Sequence, residues 1–540
     1  MTSIRTLLLL LFATNLGFAH LPSQEETTEN RSRLNSQISS QSQPQCFSIP
    51  EGGFVYYFHP DVEKWLAKPL NIETIREIRK SLAPHLTIPL TKEGFTAAAT
   101  RTSEDEPDIT NYSAVWGRDC CWNYFGLKTY DFSAAKQLML SLLDFYSTEN
   151  QRDRFLSVIQ NPSLADPSLN PNAHMSVPLI RFSSRTLSHQ QVDGKDQEWN
   201  HIQFDSHGLF LLALADAISS DILQLSDLKP QHLATIALFP AFFTAVNYAA
   251  KKDAGPWEEE LLYNASSAGL VASGLKRISA VIEDLHLKQE LANALKSIKD
   301  PSLLHQIKAA LLPESIEQLY QKGMKRVEAN LKLGGEAPEN LNRRADVALL
   351  FLCLLDHTPY HNQEGKIREI LNITLSLIGP YGVYRYHKDP YQAANYWVTY
   401  SSPSPIIGIK TPELIFIQRF HKGYSPNKQP FDAQWFFDSN FAQVYYHLAS
   451  LQSEATARTY YIRQGDIHLK RALGQFTGPN AIAANGEKLK PWQLPESINT
   501  VMESYGILPL PSPICPLNWA KAAFHMALSE AEKAHSSISF

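Results

Sequence analysis

The sequence predicts a mostly α-helical protein, and two observations carry that prediction. First, apolar residues recur at the i, i+3, i+4, i+7 spacing of an amphipathic helix within residues 139–146, 211–218, 347–354, 441–448 and 519–526. Second, the period-two alternation of a half-buried strand is missing outside roughly Gly53 to Phe58. The chain has 540 residues, of which 44% are hydrophobic, so it can bury a large core.

The helical segments share a feature at their starts, because clusters of aromatic and polar residues lead into them. Clusters in this position would gather at one end of a helical toroid or bundle, and loops at one face of a rigid scaffold commonly carry functional sites. For any one cluster alone, a simpler interpretation is favoured, since an aromatic residue beside a helix start often packs as a hydrophobic staple.

The N-terminus predicts an exported protein. Arg5 precedes an apolar run from Leu7 to Phe12, and the small residues around Gly17-Phe18-Ala19 suit cleavage by a signal peptidase. We expect residues 1–19 to be a signal peptide, with a short anchor or a buried strand as alternatives, and residues 20–45 to be a flexible polar leader. No other stretch is expected to reach transmembrane length, so the mature protein should be soluble and exported.

Charge and motif content exclude several functional classes. The formal net charge is -5 and the basic residues are spread along the chain, so no nucleic acid partner is expected. The five cysteines have no zinc-type, redox-type or framework spacing, although one disulfide is possible in an oxidising compartment. No cofactor or metal is expected, because recognisable ligand motifs are missing and His357 and His361 are better explained as surface histidines at a helix end.

Two segments contain residues that can hold a sugar ring. In WGRD (116–119), Arg118 and Asp119 supply planar donors beside a charged acceptor, which can orient vicinal hydroxyls; a plain ion pair is the alternative. In WNHIQFD (199–205), Trp199 offers an apolar face that suits the CH-rich face of glucose, or it is a core packing residue.

Two further segments supply carboxyl groups. DAGPWE (253–258) places Glu258 directly after Trp257, and an adjacent indole with limited water raises the pKa of a carboxyl, as a general acid near neutral pH requires. LPES (494–497) contains Glu496, which by itself could equally mark a helix start. Two carboxyls in an aromatic-lined pocket are the minimum for glycoside hydrolysis. Glu259 and Glu260 are expected to be solvated charges at a helix start.

In order and content, these segments resemble the signatures of glycoside hydrolase family 15, the glucoamylase-like enzymes. Further similar segments are PLIRF (178–182), GVYRYHKDPY (382–391), DAQWF (432–436) and CPLNWAKA (515–522). The resemblance covers roughly residues 95–535. It implies an (α/α)6 toroid of the six-hairpin glycosidase type and an inverting hydrolase that releases glucose from non-reducing ends of α-glucans or α-gluco-oligosaccharides.

The resemblance also implies roles for individual residues, with Glu258 as the general acid and Glu496 as the general base that activates water. The implied substrate-binding residues are Arg118, Asp119, Trp199, Gln203, Asp205, Trp257, Arg385 and Trp435. Three positions depart from the family pattern: Gln434 stands where related proteins often have Glu, Ser497 stands for Gln, and Lys521 stands for His. A glutamine can hydrogen-bond substrate but cannot ionise.

One segment supports a second interpretation. YNASSAG (263–269) looks closer to the α and β regulatory subunits of phosphorylase kinase, which implies a non-catalytic carbohydrate-binding or regulatory protein on the same fold. A toroid that acts on another sugar, such as trehalose or dextran, is a third. The signal peptide argues against the regulatory subunits, which are cytosolic, and favours an exported enzyme. Residues 46–95 are too few for the β-sandwich that precedes the toroid in many bacterial members, so we predict a small cap there and a catalytic domain over 96–540. The expected partner is an α-glucan or oligosaccharide, and no membrane span is expected in the mature chain.

Overall fold

Helices dominate the computed structural model, which describes residues 43–100, 112–192, 195–285, 287–389, 433–484, 486–503 and 506–537. Within these residues the α-helices are α1 (Glu63–Leu66), α2 (Ile72–Leu86), α3 (Gly117–Leu127), α4 (Phe132–Tyr146), α5 (Glu149–Gln160), α6 (Ala173–Ser176), α7 (Phe204–Ser219), α8 (Pro230–Val246), α9 (Ala265–Asp284), α10 (Lys288–Ala294), α11 (Pro301–Ala310), α12 (Pro313–Lys332), α13 (Glu364–Thr374), α14 (Asp438–Ser450), α15 (Ala455–Gly474) and α16 (Asn518–Ser536). Short 3-10 helices span Pro60–Val62, Pro162–Ala165, Leu225–Asp227, Tyr248–Ala250, Leu295–Ser297, Leu341–Arg343, Val347–Leu352 and Leu375–Leu377.

The strands are short and form small antiparallel sheets. They are β1 (Gln45–Ser48), β2 (Phe54–Tyr57), β3 (Val115–Trp116), β4 (Arg181–Phe182), β5 (Gln191–Val192), β6 (Lys195–Asp196), β7 (Gln434–Trp435), β8 (Ser497–Glu503) and β9 (Gly506–Pro511). The first six strands pair as β1–β2, β3–β4 and β5–β6, and the last three form one sheet in the order β7–β8–β9.

Six helical elements form a closed inner ring. In chain order they are α3, α7, α9, the 3-10 helix Val347–Leu352, α14 and α16; each packs against the next, and α16 packs back against α3. All residues in the first two turns of these elements are buried. Helices that are covered on every side belong at the centre of a protein, so this ring is the core.

A second helix covers each inner element from outside. α2 packs on α16, α4 on α3, α12 on α9, α13 on Val347–Leu352 and α15 on α14, while α8 covers α7 through ring contacts such as Phe239 on Phe210. These outer helices are amphipathic: α2, for example, buries Ile75, Ile78 and Leu82. Because outer and inner helices alternate along the chain, the fold is six helical hairpins, and the predicted mostly-α (α/α)6 toroid is confirmed.

Two local predictions differ from the structure. Within the segment 347–354, Val347–Leu352 folds as a 3-10 helix rather than an α-helix. All six of these residues are apolar and buried, so they satisfy the apolar spacing of an α-helix whichever helix forms. The β8–β9 hairpin is absent from the prediction, since β9 contains Pro509 and Pro511. Proline is tolerated there because β9 is the edge strand of its sheet.

One apolar segment contradicts the expectation that no stretch after the signal peptide reaches transmembrane length. Pro230–Ala250 is long and apolar enough to cross a membrane, but 72% of its most apolar window is buried inside the protein. That burial is typical of a core helix, and α8 is such a helix. The predicted signal peptide and most of the predicted leader lie outside the described residues.

The region predicted as a cap packs on the chain just before Glu496. The His59 ring stacks on Trp492 with centroids 3.5 Å apart, and the backbone of Trp492 has a φ of +62°. A buried ion pair also ties this region to α15, since Lys470 donates to Glu51 at 2.5 Å. The five cysteines are free thiols, so the disulfide considered from sequence is not formed.

Candidate active site

The loops that lead into the inner elements meet at one end of the toroid and are joined by backbone pairing. The pairs are Val115 with Phe182, Ile202 with Ala254, Asp346 with Tyr386, Val383 with Trp435, Trp435 with Ser497, and Leu517 with Ala99. All ten residues predicted to act on or bind substrate lie in these loops or in the first turn of the helix that follows. The predicted gathering of clusters at one end therefore occurs.

Arg118 connects several of the predicted residues. Its Nε donates to Asp205 Oδ2 (2.5 Å) and its Nη1 donates to Glu258 Oε1 (3.1 Å). Its Nη2 donates to Gln203 Oε1 and to the Gly255 carbonyl (3.1 Å). The planar guanidinium can serve all these acceptors at once because its donors are fixed in a fork. The structure thus brings Arg118, Gln203, Asp205 and Glu258 together.

Asp119 follows Arg118 in the first turn of α3, where the helix dipole favours negative charge. It is buried, and burial raises its pKa to about 7; the positive charge of Arg118 opposes this rise and the negative charge of Glu258 adds to it. Near neutral pH, this carboxyl can therefore be protonated, when it donates a hydrogen bond, or ionised, when it only accepts them.

Glu258 is held from two sides. Trp116 Nε1 donates to its Oε2 (3.2 Å), while Arg118 donates to its Oε1. Its side chain remains 15% exposed, so a ligand can reach it. Burial raises the pKa of Glu258, and the charge of Arg118 and the Trp116 hydrogen bond oppose that rise. A raised pKa combined with partial access is what a general acid requires.

The loop that carries Glu258 is strained and firmly anchored. Gly255 has a φ of +59° and Glu258 a φ of +62°, a left-handed conformation that few non-glycine residues adopt. Asp253 anchors the loop by accepting from the Phe204 backbone N–H (3.0 Å) and from Ser267 Oγ (2.7 Å), and burial raises the pKa of Asp253 to about 7. These bonds tie the loop to the starts of α7 and α9.

Glu496 directly precedes β8 and does not begin a helix. Its side chain is buried and its backbone N–H donates to the Ile514 carbonyl (2.9 Å). The Tyr112 hydroxyl donates to Glu496 Oε1 (3.1 Å), and the Tyr112 ring lies 5.3 Å from that of Trp116, which donates to Glu258. Tyr112 and Trp116 therefore form one aromatic wall that hydrogen-bonds a predicted catalytic carboxyl at each end. Sequence reasoning missed Tyr112, which stands four residues before Trp116.

Trp199 reinforces this wall. Its ring packs edge-to-face on Trp116 with centroids 5.8 Å apart, and it is only 4% exposed. Trp199, from the loop before α7, therefore supports the wall that Tyr112 and Trp116 form in the loop before α3.

Arg385, Trp257 and Trp435 form a second group. The Arg385 guanidinium carbon lies 5.1 Å from the Trp257 ring centroid and 4.7 Å from that of Trp435. Arg385 also donates to Asp389 (2.6 and 2.7 Å) and to Glu259 (2.7 Å). A cation between two indoles and two carboxylates is fixed in orientation, so these three predicted residues form one rigid unit.

The prediction that Glu259 is a solvated charge at a helix start is wrong. Glu259 is 6% exposed and accepts hydrogen bonds from Arg385 and from the Tyr386 hydroxyl (2.5 Å). Burial raises its pKa and the charge of Arg385 opposes the rise. Glu260 is exposed, but α9 begins only at Ala265.

A buried polar group behind Trp257 was also missed from sequence. Trp257 Nε1 donates to both carboxylate oxygens of Asp346 (3.0 Å each), and Arg343 donates to Asp346 at 2.5 Å. The segment NRRAD (342–346) immediately precedes the inner element Val347–Leu352. It is thus another polar cluster before a helix, the signal that identified the other loops.

The three departures from the family pattern all have internal partners. Gln434 Oε1 accepts from the Tyr381 backbone N–H (2.7 Å), and Ser497 Oγ donates to Asn499 Oδ1 (2.7 Å). Lys521 Nζ donates to the Thr87 carbonyl (2.9 Å), and burial lowers its pKa to about 8. Lys521 thus joins α16 to the end of α2.

The described part of the chain contains no group of three or more His, Cys, Asp or Glu side chains that could hold a metal ion. Of the two histidines considered from sequence, His357 is exposed, and His361 stacks on His447 with ring centroids 3.7 Å apart.

Comparison with protein families identifies a family for this chain. The family described as glycosyl hydrolases family 15 matches residues 78–463, which is more than half of the chain. Among curated proteins, the uncharacterized lipoprotein YgeQ of Escherichia coli (strain K12) is 34% identical over 164 residues, which make up 29% of this chain and 61% of that protein. The match therefore spans less than two thirds of the relative's length.

Several solved structures are similar in outline. A glucoamylase from Saccharomycopsis fibuligera gives a TM-score of 0.49 at 13% identity, covering 86% of this chain and 96% of that chain. The glucoamylase of Hormoconis resinae gives 0.46 at 12% identity, and the family 15 glucoamylase of Hypocrea jecorina gives 0.44 at 14%. Each of these two matches covers 85% of this chain and 73% of the glucoamylase chain.

Proposed function

Because the chain belongs to glycosyl hydrolases family 15, we propose that it is an inverting, exo-acting hydrolase that releases glucose from non-reducing ends of α-glucans or α-gluco-oligosaccharides. One observation carries the proposal: the aromatic wall of Tyr112 and Trp116 hydrogen-bonds Glu496 at one end and Glu258 at the other. Two carboxyls on one apolar, hydrogen-bonding surface can act on opposite sides of a bound sugar.

Glu258 acts as the general acid in this proposal. It gives its proton to the glycosidic oxygen as the bond to the anomeric carbon breaks, and burial keeps it protonated nearer neutral pH than an ordinary glutamic acid. The carboxylate that remains is stabilised by the Arg118 guanidinium and the Trp116 indole N–H, which already face its two oxygens.

Glu496 acts as the general base. It takes a proton from a water that attacks the anomeric carbon from the face opposite the leaving group, so an α-glucoside yields β-glucose. Carboxyls about 6.5 to 9.5 Å apart leave room for this water in inverting enzymes. The Tyr112 hydroxyl donates to Glu496 Oε1 and so holds the orientation of the carboxyl group that takes this proton.

The remaining predicted residues hold the sugar. Asp119, Gln203 and Asp205 surround Arg118, so hydroxyls of the terminal glucose can bind between charged and polar groups of fixed orientation. Arg385 with Trp257 and Trp435 supplies a second binding group, in which indoles face the apolar side of a sugar ring.

A second candidate function is a non-catalytic carbohydrate-binding or regulatory protein, as the local similarity to phosphorylase kinase subunits implies. The observation that favours it is that Gln434, Ser497 and Lys521, which depart from the family pattern, all have internal partners. Trehalose or dextran as substrate is a third candidate. Export of the protein is supported by the N-terminal sequence and by the lipoprotein name of the relative.

The test is sugar release by the purified mature protein from maltose, maltotetraose, isomaltose, trehalose and soluble starch, with the product anomer followed by NMR. We expect β-glucose, and we expect Glu258→Gln and Glu496→Gln each to lose at least about 100-fold in kcat while still binding sugar. Glu260→Gln, an exposed neighbour of the acid, should keep full activity. Sugar binding without release by the wild type would favour the regulatory function, and release of α-glucose would overturn the inverting mechanism.

A further inference from the structure

A buried arginine with no role so far lies beside the aromatic wall. Arg181 is the first residue of β4, and it pairs in register with Trp116 of β3. Its side chain is buried, with 2% of its surface exposed. An arginine buried to this degree must be held by specific contacts, because the loss of its hydration is costly.

Arg181 contacts Trp116 of the aromatic wall and the neighbouring Trp199. Its guanidinium carbon lies 4.7 Å from the Trp116 ring centroid and 4.1 Å from that of Trp199. Its Nη1 donates to Gln197 Oε1 (2.8 Å), which fixes the plane of the guanidinium. The planes of the two indoles are 78° apart, so the guanidinium can stack on one ring while it lies over the other as a cation, and lysine cannot reproduce this arrangement.

We propose that Arg181 is a positioning residue for the general acid: it holds the Trp116 indole that donates to Glu258 and sets a positive charge behind that carboxyl. The inference rests on the proposed function of Glu258 and adds a residue that acts through another side chain. Without Arg181, the Trp116 indole would lose one of the three side chains that pack against it, and Glu258 would lose a nearby cation.

The electrostatic part of the proposal follows from the groups around Glu258. Arg118 and Asp119 face it from α3, Trp116 from β3 and Arg181 from β4. Burial raises the pKa of Glu258, and the charges of Arg118 and Arg181 both lower it. Arg181 thus limits the upward shift, and removing its charge must raise the pKa of this carboxyl.

The first variant to make is Arg181→Met, which removes the charge and keeps an apolar side chain of similar length. Because a general acid must be protonated to act, its pKa sets the basic limb of the pH profile of kcat/KM. We expect Arg181→Met to move that limb upward by roughly 0.5 to 1 pH unit. Arg181→Lys keeps the charge and loses the stacking, so its limb should stay close to that of wild type while kcat falls. Arg185→Met, at an exposed position on the same segment, should match wild type.

Two further measurements keep the outcome clear. If Arg181→Met does not fold, Arg181→Lys decides: a fall in kcat with unchanged KM supports positioning, whereas a rise in KM alone overturns it, because Arg181 would then act on substrate binding. If wild type releases no sugar, the proposed function fails. The pKa of Glu258 is then read by carbon-13 NMR titration, with its signal assigned by loss in Glu258→Gln. An unchanged Glu258 pKa in Arg181→Met, by either method, refutes the proposal.

Discussion

Replacing Gly208 with alanine should force two inner helices apart. Gly208 on α7 lies against α9, and a Cβ atom at this position would stand 2.5 Å from the Val271 nitrogen and 2.6 Å from its Cα. Ordinary contacts between such atoms are at about 3.5 Å, so the helices would have to separate by about 1 Å. Overpacking of this kind costs roughly 1 to 3 kcal/mol, and the better helix propensity of alanine offsets about 1 kcal/mol. Because the obstructing atoms are backbone and cannot rotate away, the overpacking cost should lie at the upper end of this range, which leaves a net loss of about 2 kcal/mol.

Urea unfolding followed by circular dichroism measures this loss. Gly365→Ala is the matched control, since Gly365 lies in α13 and a Cβ there would meet nothing within 4 Å. That variant should be as stable as wild type or more stable by up to about 1 kcal/mol. A Gly208→Ala protein with the urea midpoint of Gly365→Ala would refute the close contact between α7 and α9.

Three other outcomes are expected. Tyr112→Phe removes the hydrogen bond to Glu496, which is worth about 1.5 to 3 kcal/mol. We expect kcat to fall roughly tenfold or more with KM little changed, and an unchanged kcat would show that this bond is unimportant. Glu259→Gln should lower the free energy of unfolding by about 1 to 3 kcal/mol because it breaks a buried ion pair. Glu260→Gln, at an exposed position, should stay within about 0.5 kcal/mol of wild type. Equal thermal midpoints of the two variants would mean that both glutamates are solvated. Trp492→Ala should lower the free energy of unfolding by about 1 to 3 kcal/mol, because it removes the indole that stacks on His59. It should also lower kcat more than it changes KM, because this indole supports the segment before Glu496. A change in KM alone would contradict that role.

The individual helices could be predicted from local sequence pattern more fully than their arrangement in the toroid. The apolar spacing at residues 139–146, 211–218, 441–448 and 519–526 falls within α4, α7, α14 and α16. Which helices form the inner ring is not visible in that spacing, because a helix that is buried on all sides has no polar face to orient it. The same loss of contrast explains why Val347–Leu352 was assigned to the wrong helix type and why α8 has the composition of a membrane span.

The site was partly accessible from sequence because its residues stand in short segments before helices. Arg118 and Glu258 were identified this way, and they contact each other. Partners distant in sequence were not accessible: Glu259 was misassigned because the arginine that pairs with it stands 126 positions away. Arg181 lay in a segment already noted as similar to the family, but only the register of β3 with β4 brings it against Trp116.

The strained backbone at Glu258 explains why the site depends on the packing of α7 against α9. A left-handed glutamate is less stable by roughly 1 to 3 kcal/mol than an ordinary one and persists only where its surroundings over-determine it. Asp253 supplies part of that restraint, since its carboxyl accepts from Phe204 on α7 and from Ser267 on α9. Because α7 and α9 are also the helices in contact at Gly208, a change in their spacing acts directly on the loop of the proposed acid. Activity should therefore be lost in milder denaturing conditions than helix content in Gly208→Ala, since the loop depends on both helices while each helix retains its own hydrogen bonds.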